Sequence, residues 1–244
     1  MCGEKGVPMR LLDVIYPSRC VFCGRILREG ETGGCTSCVR RLPYVTEPVC
    51  EHCGKPIASE RSVLCSDCER RTRPMLTAGA AVWVYREDTK KAVTGFKYGG
   101  YRSDAGYYAD EMAARCHERI RQWEPDVLVP IPIHKKRARY RGFNQAELVA
   151  TELGLRLQIP TESLLKRVRP TTALKHLSVS ERRRSLRQAF AVDETRFDPR
   201  RHRRVVLVDD IYTTGATMEA CAELLREAGA EAVFSACLCI GSEV

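Results

Sequence analysis

Eight cysteines form four Cys-x-x-Cys pairs, Cys20/Cys23, Cys35/Cys38, Cys50/Cys53 and Cys65/Cys68, with eleven residues between each pair and the next. No other feature of the sequence restricts the fold so tightly. Two intervening residues let both sulfurs turn toward one ion, and two such pairs complete a tetrahedral four-cysteine zinc site. Disulfides are the competing reading, but the pairing and a reducing compartment favour metal. A redox motif needs one pair, not four. CVFCG and CEHCG place glycine after the second cysteine, as a tight knuckle requires, whereas CTSCVRRLP and CSDCERRTRP run into polar residues. The segment therefore reads as one unit repeated twice. Each repeat most simply closes its own ion: Cys20, Cys23, Cys35 and Cys38 around one, and Cys50, Cys53, Cys65 and Cys68 around the other. Equal spacing also admits a crossed arrangement. With every ligand a cysteine, no position is left for water, so two structural zinc ions are expected rather than a catalytic one. His52 reads as a neighbour of the site. Cys2, Cys116, Cys221, Cys237 and Cys239 read as small buried hydrophobes.

The remaining sequence alternates strand and helix patterns. AGAAVWVYRE (78–87) has the content of a strand, and DTKKAVTGFKYGG that of a short helix ending in two glycines. Residues 104–122 read as a helix capped by Asp104. DVLVPIPI reads as a buried strand ending at Pro130 and Pro132, and GFNQAELVATELG (142–154) as a helix with a glycine stop. SLLKRVR predicts a short strand, and SVSERRRSLRQAF a helix and an extension, capped by Ser178 or Ser180. RRVVLVDD is the clearest strand, ATMEACAELLREAGA the clearest helix, and EAVFSACLCI a last buried strand. Apolar strands alternating with helices predict an α/β fold whose parallel sheet is covered on both faces. Residues 1–72 then form a small cysteine-rich domain and residues 73–244 the α/β domain. The first twenty residues carry scattered charges without a continuous apolar run, and no stretch is long and apolar enough to span a bilayer. A cytoplasmic protein without membrane insertion is expected.

VVLVDDIYTTGAT (205–217) is the motif that carries chemistry. Asp209 and Asp210 stand where a strand ends, and in parallel sheets ligands bind beyond the carboxyl ends of strands. Thr213, Thr214, Gly215, Ala216 and Thr217 then make a small-residue turn into a helix, so backbone N–H groups and hydroxyls can surround one anion such as a phosphate. The carboxylates can accept hydrogen bonds from vicinal ribose hydroxyls, or hold magnesium directly or through water. Neither a P-loop nor a dinucleotide-binding glycine pattern is present. A plain reading, an acidic strand end with capping threonines, explains one aspartate but not the whole run.

The run resembles the 5-phosphoribosyl-1-pyrophosphate (PRPP) motif of type I phosphoribosyltransferases. That likeness implies that Asp209 and Asp210 take the ribose and Thr213–Thr217 the 5-phosphate, with magnesium accompanying PRPP. A wider similarity covers nearly the whole chain: the paired Cys-x-x-Cys units, FKYGG (96–100), VPIPIHKKRARYRGFNQAELVA (129–150), LSVSERRRSLRQAF (177–190) and the acidic motif resemble the ComF family. The resemblance implies a double zinc ribbon followed by a type I phosphoribosyltransferase-like domain, with a part in handling incoming single-stranded DNA during natural transformation. A further reading makes the zinc ribbons a docking surface for a helicase or another competence protein as partner. The chain departs from the family at Leu174 and Ser185, where members often carry glutamine and asparagine.

The formal charge of +9 suits anionic partners without choosing between nucleic acid and phosphorylated metabolites. Lys97, Arg137 and Arg141, beside glycine- or proline-marked turns, are candidates for the pyrophosphate of PRPP. His134 and Asn144 flank them, the latter as a helix cap. KKRARYR (135–141), RRRSLR (182–187) and RRHRR (200–204), with Tyr140 and Phe143, form a candidate track for a single strand. No acceptor pocket and no catalytic acid or base is legible. Two functions follow: a binding module for PRPP and single-stranded DNA, or an active phosphoribosyltransferase with an unidentified acceptor.

Overall fold

The computed structural model describes residues 17–59, 61–170 and 179–242. Two one-turn helices, α1 (Thr36–Val39) and α2 (Ser66–Glu69), belong to the cysteine-rich part. The α/β part runs β1 (Gly79–Val84), α3 (Glu87–Tyr98), α4 (Asp104–Gln122), β2 (Val127–Pro130), α5 (Lys135–Arg141), α6 (Gln145–Leu157) and β3 (Leu165–Arg167). It continues through α7 (Val179–Arg187), β4 (Phe190–Val192), β5 (Arg204–Tyr212), α8 (Ala216–Glu227) and β6 (Ala232–Ile240). Cys2, Leu174 and Ser178, and the side chain of Ser180, lie outside the described residues.

Four strands form a parallel sheet in the order β1-β6-β5-β2. Every residue of β1, β2 and β6 is buried, as strands covered on both faces must be. Alternation along β5 divides the core in two. Val206 and Val208 pack with Phe96 of α3, Met112 of α4 and Leu153 of α6, whereas Val205 and Leu207 pack with Met218 and Leu225 of α8.

The cysteine units are built into these two layers. Cys20, Cys35 and Cys38 belong to the α4 layer, where Phe22 meets Trp83 edge-on at 5.7 Å. Cys50, Cys53, Cys65 and Cys68 belong to the α8 layer. Between the units, Val45 N donates to Val82 O and Val84 N to Pro43 O, so residues 43–45 pair with the outer edge of β1. An edge strand that would present unpaired backbone groups is covered in this way.

The sulfurs of Cys20, Cys23, Cys35 and Cys38 lie within 4.8 Å of one another, and so do those of Cys50, Cys53, Cys65 and Cys68. The Cys23–Cys35 and Cys53–Cys65 separations are 3.8 and 3.6 Å. Zinc–sulfur bonds of about 2.3 Å arranged tetrahedrally put sulfurs about 3.8 Å apart. The residues therefore fit zinc, and the pairing is sequential rather than crossed. Cys116, Cys221, Cys237 and Cys239 are buried small hydrophobes.

Four local expectations are corrected. The segments SLLKRVR and RQAF do not join the parallel sheet: β3 and β4 pair antiparallel beside it, because a short strand with alternating charge suits a half-exposed ladder. Asp104 is the first residue of α4 and makes no cap, and burial pushes its carboxyl up to about 6. Asn144 stands at the cap position of α6, but its side chain does not cap; its Nδ2 donates to Ile131 O at 3.1 Å.

Gly154 does not stop α6, which continues to Leu157. It is a close-approach residue: a Cβ there would meet Thr161 Oγ1 at 2.4 Å and the Ile159 carbonyl at 2.7 Å. Gly154→Ala, which improves helix propensity, is expected to lower stability by about 1–3 kcal/mol through overpacking. Denaturant unfolding checks this, and an unchanged or raised midpoint would restore the helix-stop reading.

Candidate functional site

Strand β5 does not end before the acidic pair. It runs through it, and Asp209 pairs with Cys237 of β6. The partner on the other side is what ends: β2 pairs as far as Pro130 opposite Val208. The carboxylates thus sit where β5 projects past its neighbour, a place for a ligand at the carboxyl edge of the sheet.

Strand alternation sends the two side chains to opposite layers. Asp210, 8% exposed, is held by Lys97 Nζ at 2.7 Å. Lys97 comes from the last turn of α3. Among the described residues, no ion pair of that kind is seen at Asp209. Its Oδ1 accepts from the Asp210 backbone N–H at 2.8 Å, yet burial, and then the Asp210 charge, push its carboxyl up to about 8. The two carboxylates therefore stand in unlike surroundings, Asp210 against Lys97 and Asp209 with its carboxyl pushed up.

The turn that follows is shaped around Gly215. Its φ is 73°, the left-handed region that favours glycine, and a Cβ would strike the Tyr212 hydroxyl at 2.0 Å. Thr213 and Thr214 are exposed, while Ala216 and Thr217 open α8. The first N–H groups of that helix lack intrahelical partners, and its dipole favours an anion there. Glu219, in the first turn, works against an anion. Burial raises its carboxyl, but His52, the Met75 N–H and Arg71 together hold it below the usual range.

The cationic candidates separate into two groups. Arg141, at the end of α5, donates to the Tyr98 hydroxyl and to Gln145 Oε1, each at 3.0 Å. Gln145 Nε2 reaches the Lys97 carbonyl at 3.5 Å, so Arg141 and Lys97 share one neighbourhood. Arg137 is exposed on the other side, where its charge acts on Arg167 of β3. Burial, then Arg137, lower the Arg167 guanidinium, while Asp209 opposes them. Arg167 has no motif around it in the sequence, and only the β3–β4 pairing brings it to Asp209. Nearby, a cleft of about 760 Å3 is lined by His134, Asn144, Glu147, Ser163, Lys166 and Arg167, among others. His134 caps α5, its Nδ1 accepting from Lys136 N at 3.2 Å.

Two domain families match this chain: a double zinc ribbon domain over residues 11–70 and a phosphoribosyl transferase domain over residues 107–243. Competence protein F of Haemophilus influenzae is 30% identical over 226 residues, covering 88% of this chain and 93% of that protein. The chain belongs to the ComF family. Another relative of this ComF-family chain is competence protein ComFC of Bacillus subtilis, 30% identical over 82% of the chain and 81% of that protein. The DNA utilization protein YhgH of Escherichia coli K12 is 29% identical over 91% and 97% respectively. The phosphoribosyl transferase match begins inside α4, so β1 and Lys97 precede it although both are part of the carboxyl edge.

Within this ComF-family chain the three basic runs are not equivalent. RRHRR lies at the amino end of β5, opposite the acidic pair. Arg203 pairs with Glu231 at 2.6 Å, Arg201 with Glu162 at 3.5 Å, and His202 is buried. In the second run Arg187 pairs with Glu227 at 2.7 Å. Among the described residues of the three runs, those of KKRARYR stand on the site side, with Tyr140 80% exposed. Phe143 faces inward, 5.9 Å from Phe96. No described helix is long and apolar enough to cross a membrane.

The raised Asp209 carboxyl sets a pH dependence. The folded chain keeps a proton that the unfolded chain loses near pH 4, so this group's contribution to stability falls as pH rises toward 8. Asp209→Asn keeps the acceptor for Asp210 N–H and removes the charge. In magnesium-free buffer it is expected to be more stable than the parent by about 1 kcal/mol or more at pH 8.5. The two proteins should converge as pH falls toward 4. Thermal unfolding across pH tests this, and an unchanged difference would show Asp209 to be an ordinary carboxylate.

Proposed function

We propose that this chain binds PRPP with magnesium at the carboxyl edge of β5 and handles single-stranded DNA along α5, in DNA uptake or a related process. The observation that carries the reading is the junction of two features: an acidic pair held by a single lysine, and a glycine-turned helix N-terminus directly after it. Asp209 and Asp210 accept hydrogen bonds from the ribose hydroxyls. Thr213–Thr217 surround the 5-phosphate with N–H and hydroxyl donors. When the ribose takes Asp210, Lys97 is freed toward the pyrophosphate, with Arg141 and Arg137 as further cations. Magnesium, an oxygen-seeking cation suited to these carboxylates, neutralises pyrophosphate charge when bound. Two relatives are named as competence proteins and a third as a DNA utilization protein, and KKRARYR with exposed Tyr98 and Tyr140 offers cations and stacking faces at this edge.

Calorimetric titration with PRPP and magnesium is expected to show binding that weakens by about tenfold or more in Asp209→Ala/Asp210→Ala, in line with loss of hydrogen bonds to charged acceptors. Equal binding by both proteins would sink the ribose assignment. Single-stranded DNA affinity should fall with salt, and replacing Lys135, Lys136 and Arg139 by Ser should flatten that slope by about two to three. The same change at Arg200, Arg201 and Arg203 should leave the slope nearly unaltered. Equal effects from both sets would remove α5 as the track.

The cleft beside Arg167 favours a second reading, transfer to an acceptor. An acceptor nucleophile bonds to C1 of the ribose, the C1–oxygen bond breaks, and pyrophosphate leaves with the electron pair. Pyrophosphate release that requires an added purine, pyrimidine or amine would establish this reading. PRPP binding without release across those acceptors would leave the binding module.

A further inference from the structure

The candidate phosphate turn has a wall supplied by the second cysteine unit. Arg71 follows the last cysteine of that unit by three positions, and its side chain is only 17% exposed. Its guanidinium donates to the Tyr212 hydroxyl at 3.1 Å, to Glu219 Oε1 at 2.7 Å and to the Thr214 carbonyl. Nη1 also lies 4.0 Å from Cys68 Sγ, an N–H···S contact. A Cβ at Gly215 would stand 2.9 Å from Nη2, so the guanidinium packs on the turn itself.

Glu219 is gripped by the same unit and by the segment that follows it. His52 Nε2 lies 3.1 Å from its Oε1, and Met75 N donates to Oε2 at 2.7 Å. A carboxylate in the first turn of α8 opposes a phosphate at that helix end. Residues of the second unit pair it and hold it in place. The first unit is placed differently. Its cysteines pack in the α4 layer, on the opposite side of the sheet from Met218 and Leu225 of α8. Two zinc sites alike in ligands therefore stand in different relations to the turn.

We propose that Arg71 is a positioning residue for the Thr213–Thr217 turn, through which the second four-cysteine site, and not the first, sets the turn's affinity for a phosphate. The affinity part rests on the phosphate reading of the turn. Five donor hydrogens on a planar fork let one arginine hold a carbonyl, a phenol and a carboxylate together, which a lysine cannot reproduce. The coupling is reciprocal: if zinc at Cys50, Cys53, Cys65 and Cys68 favours phosphate binding, phosphate binding must favour retention of that zinc.

Arg71→Met in the full chain, with zinc content measured, tests the coupling. Amide hydrogen exchange without ligand is expected to quicken over residues 212–218 and to stay unchanged over residues 19–38 and 104–122. Affinity for ribose 5-phosphate should fall about tenfold, with Arg71→Lys recovering little of it. Unchanged exchange over the turn would overturn the proposal, as would full recovery by lysine. If the parent chain binds neither ribose 5-phosphate nor PRPP, the phosphate reading fails, and the exchange comparison still decides whether Arg71 holds the turn. Should Arg71→Met not fold, the parent chain decides by challenge with a zinc-binding dye. Ribose 5-phosphate should slow release of one of the two zinc ions, and slowing of both or of neither by a ligand that binds would overturn the coupling.

Discussion

Two carboxylates adjacent in sequence cannot both stay ionised at a buried strand end without compensation, and the carboxyl edge is arranged around that repulsion. The strand sends them to opposite layers, which separates their environments but does not cancel the interaction. Each is then treated differently: Asp210 is paired with Lys97 at 2.7 Å, and burial pushes the Asp209 carboxyl up to about 8. Lys97 reaches Asp210 because α3 packs through Ala92, Val93 and Phe96 against the same layer as Val208. A ligand that offers hydroxyls to Asp210 must therefore compete with a cation already present. The exchange is inexpensive where the ligand also brings an anion for that cation, and it is costly for a neutral sugar. The ion pair thus penalises any ligand that brings hydroxyls without an anion, independently of the turn that follows the strand.

The cysteine units contribute to the edge as walls. Each four-cysteine cluster shares a core layer with the sheet, and the segment between them pairs with the outer edge of β1. A Cβ at Gly79, the first residue of β1, would meet the Cys53 carbonyl at 2.5 Å, so the second knuckle rests directly on the strand. Because four thiols lie within 4.8 Å of one another in each cluster, zinc bound there would take them as thiolates and tie the knuckles to their layer at once. Metal loss would then be felt in the packing of β1 and β6 as well as in the cysteine-rich part.

Much of this was legible in the sequence because its signals are local. Cysteine spacing declares metal knuckles, and the apolar run with its glycine turn declares a strand and a helix start. What was not legible depends on long-range contacts. Gly154 reads as a stop because nothing nearby tells that Thr161 folds back onto it. Asn144 reads as a cap because its true partner, the Ile131 carbonyl, lies thirteen positions earlier. Lys97 reads as a cation beside a glycine turn, and its pairing with Asp210 spans more than a hundred positions. Arg71 and Arg167 sit among many other arginines, and composition gives no reason to single them out.

The distribution of charge shows why a net value is a poor guide to partners. At the amino end of β5, Arg201 and Arg203 are matched by Glu162 and Glu231, which offsets part of the outward field of that basic run. At the carboxyl end, Lys135, Lys136, Arg137 and Arg139 are exposed on a short helix whose first turn contains no acidic residue. The basic helix lies beside the acidic pair. On the function proposed above, a flexible anion drawn to α5 is brought to the same edge as the compact one, and the two ligands meet there or exclude one another.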